Sequence, residues 1–288
     1  MKHIKNLFKS IKNYDIIINK DYKNLQNMKG MIKIMGKIIA VSNQKGGVGK
    51  TTTSVNITAQ IGAFGYKVLL VDIDPQGNAT SGLAINKRQI KLSTYDLLIG
   101  NAKGEDIVVH TKYKNTDILP ANISLAGAEI ELVDIRDREM KLKQGLANIK
   151  DYYDFIFIDC PPSLGIITLN AFCACDSILV PIQCEYYALE GLSQLMATIR
   201  QVKRLYNEYI EIEGVLLTMY DGRLNLTQQV VEEVKRFFPR KVYSTPIPRN
   251  VKLSEAPSYG QPILYFDRGS KGAESYGLLA REIIKQNT

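Results

Sequence analysis

Short apolar runs recur along the chain at Lys37 to Val41, Val68 to Ile73, Phe155 to Ile158, Ser177 to Pro181, Gly214 to Met219 and Val242 to Ile247. A strand with one wet face alternates apolar and polar residues, and these runs hardly alternate, so they read as strands buried on both faces. The stretches between them carry helical periodicity. Strands and helices in alternation predict an α/β chain, a doubly wound and mostly parallel sheet with helices on both faces. Ligands of such sheets bind at the carboxyl ends of the strands.

The first run leads directly into AVSNQKGGVGKTTT, Ala40 to Thr53. A strand, a glycine-rich turn and a helical pattern beginning near Thr52 form, in that order, a phosphate cradle. Gly46, Gly47 and Gly49 let successive N–H groups, including that of Val48, turn toward one point, and the positive end of the helix at Thr52 faces the same point. Lys50 reaches the outer phosphates and the Thr51 hydroxyl ligates Mg²⁺, so the expected ligand is a nucleoside triphosphate with Mg²⁺. Gln44 stands where the motif G-x-x-x-x-G-K-[ST] has its first glycine, and Lys45 precedes the glycine pair. KGGVGKT therefore resembles the deviant Walker A motif shared by partition ATPases, the division-site ATPase MinD and the nitrogenase iron protein. The resemblance implies that Lys45 acts across a dimer interface on the partner's nucleotide.

Two further strands end in aspartate. VDIDPQGNAT puts Asp72 and Asp74 at the carboxyl end of the second run, where they are expected to point to opposite faces, with only one toward the phosphates. The segment resembles the Walker A′ element of partition ATPases, which implies that Asp74 helps to position the attacking water while Asp72 supports the structure. YDFIFIDCPPSLG closes a buried strand with Asp159, and Pro161 and Pro162 stop the strand there. An aspartate in that place beside a phosphate loop reads as Walker B, holding Mg²⁺ directly or through water.

VPIQCEYYALEGLSQL, IEGVLLTMYDGRLNL and IPRNVKLSEAPSYGQPI then look like the Soj-type chromosomal ParA ATPases, and the resemblance runs from residue 35 to 288 without an evident gap. It implies that Pro248 and Asn250 lie near the adenine and that Arg223, in DGR-x-NL, serves DNA binding. It also implies an ATP-dependent homodimer, non-specific duplex DNA as a partner, hydrolysis stimulated by a ParB-type protein, and a second role in replication initiation through DnaA. The place implied is cytoplasmic and nucleoid-associated.

Charge agrees with a local patch. Of the net +8, six charges belong to residues 1–34, with eight lysines against two aspartates. The rest of the chain is close to neutral, so a nucleic-acid surface there must be local. Lys235, Arg236, Arg240, Lys241, Arg249 and Lys252 follow one another with no acidic residue between them, and Arg200, Lys203 and Arg204 cluster upstream. Sequence-independent, salt-sensitive binding to phosphates is what such a patch supports. Lys235, Arg236, Arg249 and Lys252 join Arg223 as expected DNA contacts.

Residues 1–34 are read as a basic leader, disordered or arising from a mis-assigned start, ahead of a single ATPase domain at 35–288. Ile4, Leu7, Phe8 and Ile11 in the leader also fit a basic amphipathic helix on an anionic membrane, which keeps a MinD-like membrane-positioning ATPase as the alternative. No apolar run approaches the roughly 20 residues of a membrane span, and no stable membrane insertion is expected. Cys160, Cys173, Cys175 and Cys184 lack CxxC spacing and read as reduced core residues. A cluster-bearing reductase like the nitrogenase iron protein would need cysteines at a dimer interface, and only Cys160 is near the right place.

Overall fold

A computed structural model describes residues 36–185 and 191–288. The leader and its amphipathic pattern lie outside the described residues. Seven strands form one sheet in the order β3-β4-β2-β5-β1-β6-β7. The strands are β1 (Lys37–Val41), β2 (Val68–Asp72), β3 (Val109–His110), β4 (Thr116–Leu119), β5 (Phe155–Asp159), β6 (Ser177–Gln183) and β7 (Glu211–Thr218). Every neighbouring pair is parallel except β3 with β4. The doubly wound, mostly parallel sheet expected from the alternating runs is the observed fold.

The unbroken apolar runs have a direct cause. Ile38 and Ala40 of β1, Leu69 and Val71 of β2, and Ile156 and Ile158 of β5 pack into one core. Their alternating neighbours Ile39 and Val41, Val68 and Leu70, and Phe155 and Phe157 pack into the other. Helices α1 (Lys50–Ala63) and α6 (Lys271–Asn287) cover the second core through Ile57, Ile61, Leu279 and Ile283. Helices α3 (Ile166–Ala174), α4 (Leu192–Leu205) and α5 (Asn225–Phe237) cover the first through Phe172, Leu195, Ile199, Val230 and Val234. Each fully buried side chain of this kind contributes about 1.5–3 kcal/mol relative to exposure. The short helix α2 (Asn78–Gly82) follows β2 on the site side of the sheet.

Register brings the site together. Val41 and Asp72 both pair with Asp159, so the last residues of β1, β2 and β5 stand level. Among the described residues no helix is long and apolar enough to cross a membrane.

Three expectations need correction. Val242 to Ile247 does not form a strand, since only single parallel bridges, Val215 to Val242 and Tyr220 to Pro248, join this segment to the chain around β7. The Tyr243 N–H donates to the Val215 carbonyl and the Ile247 N–H to the Leu217 carbonyl, so four residues of the segment stand against two of β7, and this slip of register breaks the ladder between the two bridges. Strands β3 and β4 were not expected, and they extend the sheet beyond β2. Helix α1 begins at Lys50, two residues before the expected start, because Gly49 takes φ of 87° and turns the chain directly into the helix.

Candidate functional site

The loop between β1 and α1 crosses the carboxyl end of the sheet. Gly47 and Gly49 have φ of 74° and 87°, values that side-chain-bearing residues rarely adopt. A Cβ at Gly46 or Gly47 would meet nothing within 4 Å, so the loop is uncrowded at these two exposed positions. Among the described residues none offers an acceptor to the backbone N–H groups from Gly46 to Thr52. A run of unpartnered donors at a helix start is what an anion with several oxygens would satisfy.

The loop is anchored from both sides. Asn43 donates to the Pro181 carbonyl at the end of β6 (2.8 Å) and accepts from the Lys45 N–H (3.0 Å). Thr218, the last residue of β7, donates its hydroxyl to the Val48 carbonyl (2.9 Å). The Lys50 ammonium lies over the loop and donates to the Lys45 carbonyl (3.1 Å). Burial pushes the Lys50 pKa down, against the opposing pull of Asp159 and Asp74. Lys45 is a third exposed and points away, 4.0 Å from Glu185. The two lysines of the motif are thus placed differently, one folded into its own cradle and one at the rim.

Beneath the loop lies the carboxylate group. Asp159 is fully buried, and each of its oxygens accepts a hydroxyl bond of 2.8 Å, Oδ2 from Thr51 and Oδ1 from Ser54. Asp72 is also fully buried and accepts from the Thr80 N–H (2.8 Å), the Thr80 hydroxyl (2.7 Å) and the Asp74 N–H (3.1 Å). Burial pushes both carboxyls up, and Asp72 raises Asp159 further because the two sit on paired strand ends. Two like charges held together out of water favour retention of a proton until a cation arrives. That donor set of a buried carboxylate with an adjacent threonine hydroxyl suits a hard divalent ion such as Mg²⁺.

Asp72 and Asp74 do not point to opposite faces as expected. Residues two apart on a strand share a face, and both carboxylates bear on Asp159. They differ because β2 ends at Asp72, so that Asp72 is locked by Thr80 of α2 while Asp74 sits in the turn, accepting from the Gln76 N–H (2.9 Å) and acting on Lys50. The supporting place expected for Asp72 therefore agrees with its bonds.

Beside the cradle is a cavity of about 540 Å³ lined by Gly49, Thr52, Thr218, Pro248, Asn250 and Tyr276 among others. Pro248 and Asn250 thus line the same cavity as Gly49 and Thr52 of the phosphate loop. The Asn250 side chain also caps the following helical turn by accepting from the Leu253 N–H (3.3 Å). Ser54 and Thr218 are the site residues that the sequence did not single out. Ser54 sits one helical turn after Lys50, a spacing that could have pointed to it, whereas nothing local marks Thr218.

The basic residues divide into two groups. Arg223 is paired with Asp221, Arg249 lies 3.7 Å from Glu185, and Lys252 lies 2.8 Å from Glu255. Lys235 and Arg236, in the last turn of α5, have no acidic partner among the described residues. All four cysteines are buried and free.

Fold and cradle together define a P-loop ATPase with the two-lysine form of the loop. A family model described as an AAA domain matches residues 36–212. The chain is 59% identical over 249 residues to the sporulation initiation inhibitor protein Soj of Bacillus subtilis, covering 86% of this chain and 98% of that protein. It is 51% identical to the chromosome-partitioning ATPase Soj of Treponema pallidum, covering 88% of this chain and 99% of that one. Among solved structures it resembles the cobyrinic acid a,c-diamide synthase of Mycobacterium smegmatis with bound ADP and magnesium, at a TM-score of 0.77 and 37% identity, over 88% of this chain and 95% of that chain. The chain belongs to the Soj/ParA family of chromosome-partitioning ATPases.

Proposed function

We propose that this protein is a nucleotide-gated partition ATPase that binds duplex DNA without sequence preference when it holds ATP and releases it on hydrolysis. The observation that carries the reading is the open cradle of unpartnered N–H groups, with Lys50 folded over it and the Asp159, Thr51 and Ser54 cluster at its base. The N–H groups from Gly46 to Thr52 bind the phosphates, and the cavity at Pro248 and Asn250 takes the adenine. Thr51 and Asp159 would hold Mg²⁺, which supplies neutralising charge between the phosphates.

Asp74 orients the attacking water, and Lys50 stabilises the charge spread over the transferred phosphoryl group. Lys45, at the rim and 4.0 Å from an exposed glutamate, reaches a second protomer. Its action in trans makes ATP binding and homodimer formation one event. Two copies of the basic surface at Arg223, Lys235, Arg236, Arg249 and Lys252 then act together on DNA phosphates. A ParB-type partner accelerates hydrolysis, and contact with DnaA links the same cycle to replication initiation. The protein would work in the cytoplasm at the nucleoid.

Lys50→Ala tests the cradle: ATP binding and turnover should both be lost while the fold persists. Normal turnover in that variant would refute the site.

A further inference from the structure

The loop that carries Arg223 holds its own counter-charge. Arg223 donates Nε to Asp221 Oδ1 (2.8 Å) and Nη2 to Asp221 Oδ2 (2.6 Å), a two-point pair on the side edge of the guanidinium. The Arg223 N–H also donates to Asp221 Oδ1 (3.1 Å), which turns the carboxylate back toward the side chain that follows it. The Arg223 side chain is 89% exposed, so the pair stands at the surface facing solvent. The bonds from Arg223 hold the Asp221 carboxyl well below the usual carboxylate range, with Arg249 adding to the effect. Asp221 is therefore charged at any pH at which the protein works.

A carboxylate and a phosphate offer the guanidinium fork the same thing, two oxygens at matching spacing. We propose that Asp221 is an intramolecular stand-in for a DNA phosphate: it occupies the edge of Arg223 that a backbone phosphate would take, and it must be displaced when DNA binds. The inference rests on the reading of Arg223 as a DNA contact and adds a second residue that sets how tightly that contact holds.

The contrast with α5 supports it. Lys235 and Arg236 at the far end of this helix are open, whereas Arg223 just before its start is compensated. The two ends are about 15 Å apart at 1.5 Å per residue, beyond the screening length of about 8 Å at physiological salt. Asp221 thus acts on Arg223 while leaving the open charges in place. Its effect is to weaken the hold of each loop on DNA, and in a dimer it acts at both loops.

The test measures binding of the full chain with a non-hydrolysable ATP analogue to random-sequence duplex DNA over a series from about 50 to 200 mM salt. The variants are Asp221→Asn, Arg223→Ala, the double variant, and Glu232→Gln on the exposed face of α5 as a control for net charge. Asp221→Asn retains an oxygen for the Arg223 N–H, and DNA-free ATP turnover reports that the fold persists. Asp221→Asn should tighten binding by about two- to fivefold per loop, the range expected for freeing one exposed ion pair, and should do so by more than Glu232→Gln. Arg223→Ala should weaken binding, and in that background Asp221→Asn should do no more than the net-charge control. If Arg223→Ala weakens binding while Asp221→Asn leaves it unchanged, weakens it, or merely matches Glu232→Gln, the stand-in role is wrong and the DNA surface stands. If Arg223→Ala has no effect, the assignment of Arg223 to DNA fails, and the inference fails with it.

Discussion

Ser54→Ala is the sharpest test of how the metal-side carboxylate is held. The Ser54 hydroxyl is fully buried and donates to Asp159 Oδ1 at 2.8 Å while lying 3.0 Å from the Lys50 carbonyl. Removing it deletes one oxygen and leaves that side of a buried carboxylate without a donor. Leaving a buried acceptor without its partner costs about 1–3 kcal/mol. At about 2–4 °C per kcal/mol for a chain of this size, the thermal midpoint should fall by about 2–12 °C. The same bond favours the charged form of Asp159, opposing burial and the Asp72 charge. Without it the carboxyl keeps its proton to higher pH, and one pKa unit corresponds to about 1.4 kcal/mol. The acid limb of ATP turnover should therefore move up by about one pH unit, with Mg²⁺ requirement rising in parallel. A differential scanning measurement and a pH–rate profile of the purified variant read both effects. A variant with an unchanged midpoint and an unmoved acid limb would show that Ser54 does not support Asp159.

Three other outcomes follow from the same geometry. Thr218→Val keeps the side-chain shape and removes the donor to the Val48 carbonyl, so ATP affinity should drop about fivefold, the equivalent of one hydrogen bond of about 1 kcal/mol; equal affinity by titration would mean that β7 does not hold the loop. Asp74→Ala should slow turnover while sparing ATP binding, and an unchanged turnover rate would remove Asp74 from the chemistry. Asp72 and Asp159 are raised in the folded protein, to about 6 and about 8, so folding takes up protons over that range. The stability contributed by these two groups is then fully present below the unfolded carboxylate pKa and is lost as pH rises through the folded values. The nucleotide-free midpoint should fall between about pH 5 and pH 8, and Asp72→Asn should flatten the fall; a midpoint that climbs over this window would contradict the account.

Much of this was legible because the decisive features are local. A glycine turn needing positive φ, a lysine and threonine at fixed offsets, and an aspartate closing an apolar strand are contiguous patterns, and the structure brings Lys50, Thr51 and Asp159 together at the carboxyl end of the sheet. Thr218 was not legible, because its importance comes from β7 ending beside a loop 170 positions earlier in the chain. Strand β4 is only Thr116–Leu119 and carries Asp117 in its middle, too short and too polar for its period to show. The run from Val242 to Ile247 had the opposite fault, an apolar pattern whose register against β7 slips between Tyr243 and Ile247, so that no continuous ladder forms. The Asp221–Arg223 pair is written in plain sight as DGR, yet a run of basic residues does not reveal which of them carry their own counter-charge.

The central claim is that nucleotide state gates a DNA-binding dimer, and the most direct measurement is binding of the Asp74→Ala protein to random-sequence duplex DNA with ATP or ADP across a salt series. Binding with ATP alone, falling steeply as salt rises, is the predicted result. Equal binding with both nucleotides, or none with either, would contradict it.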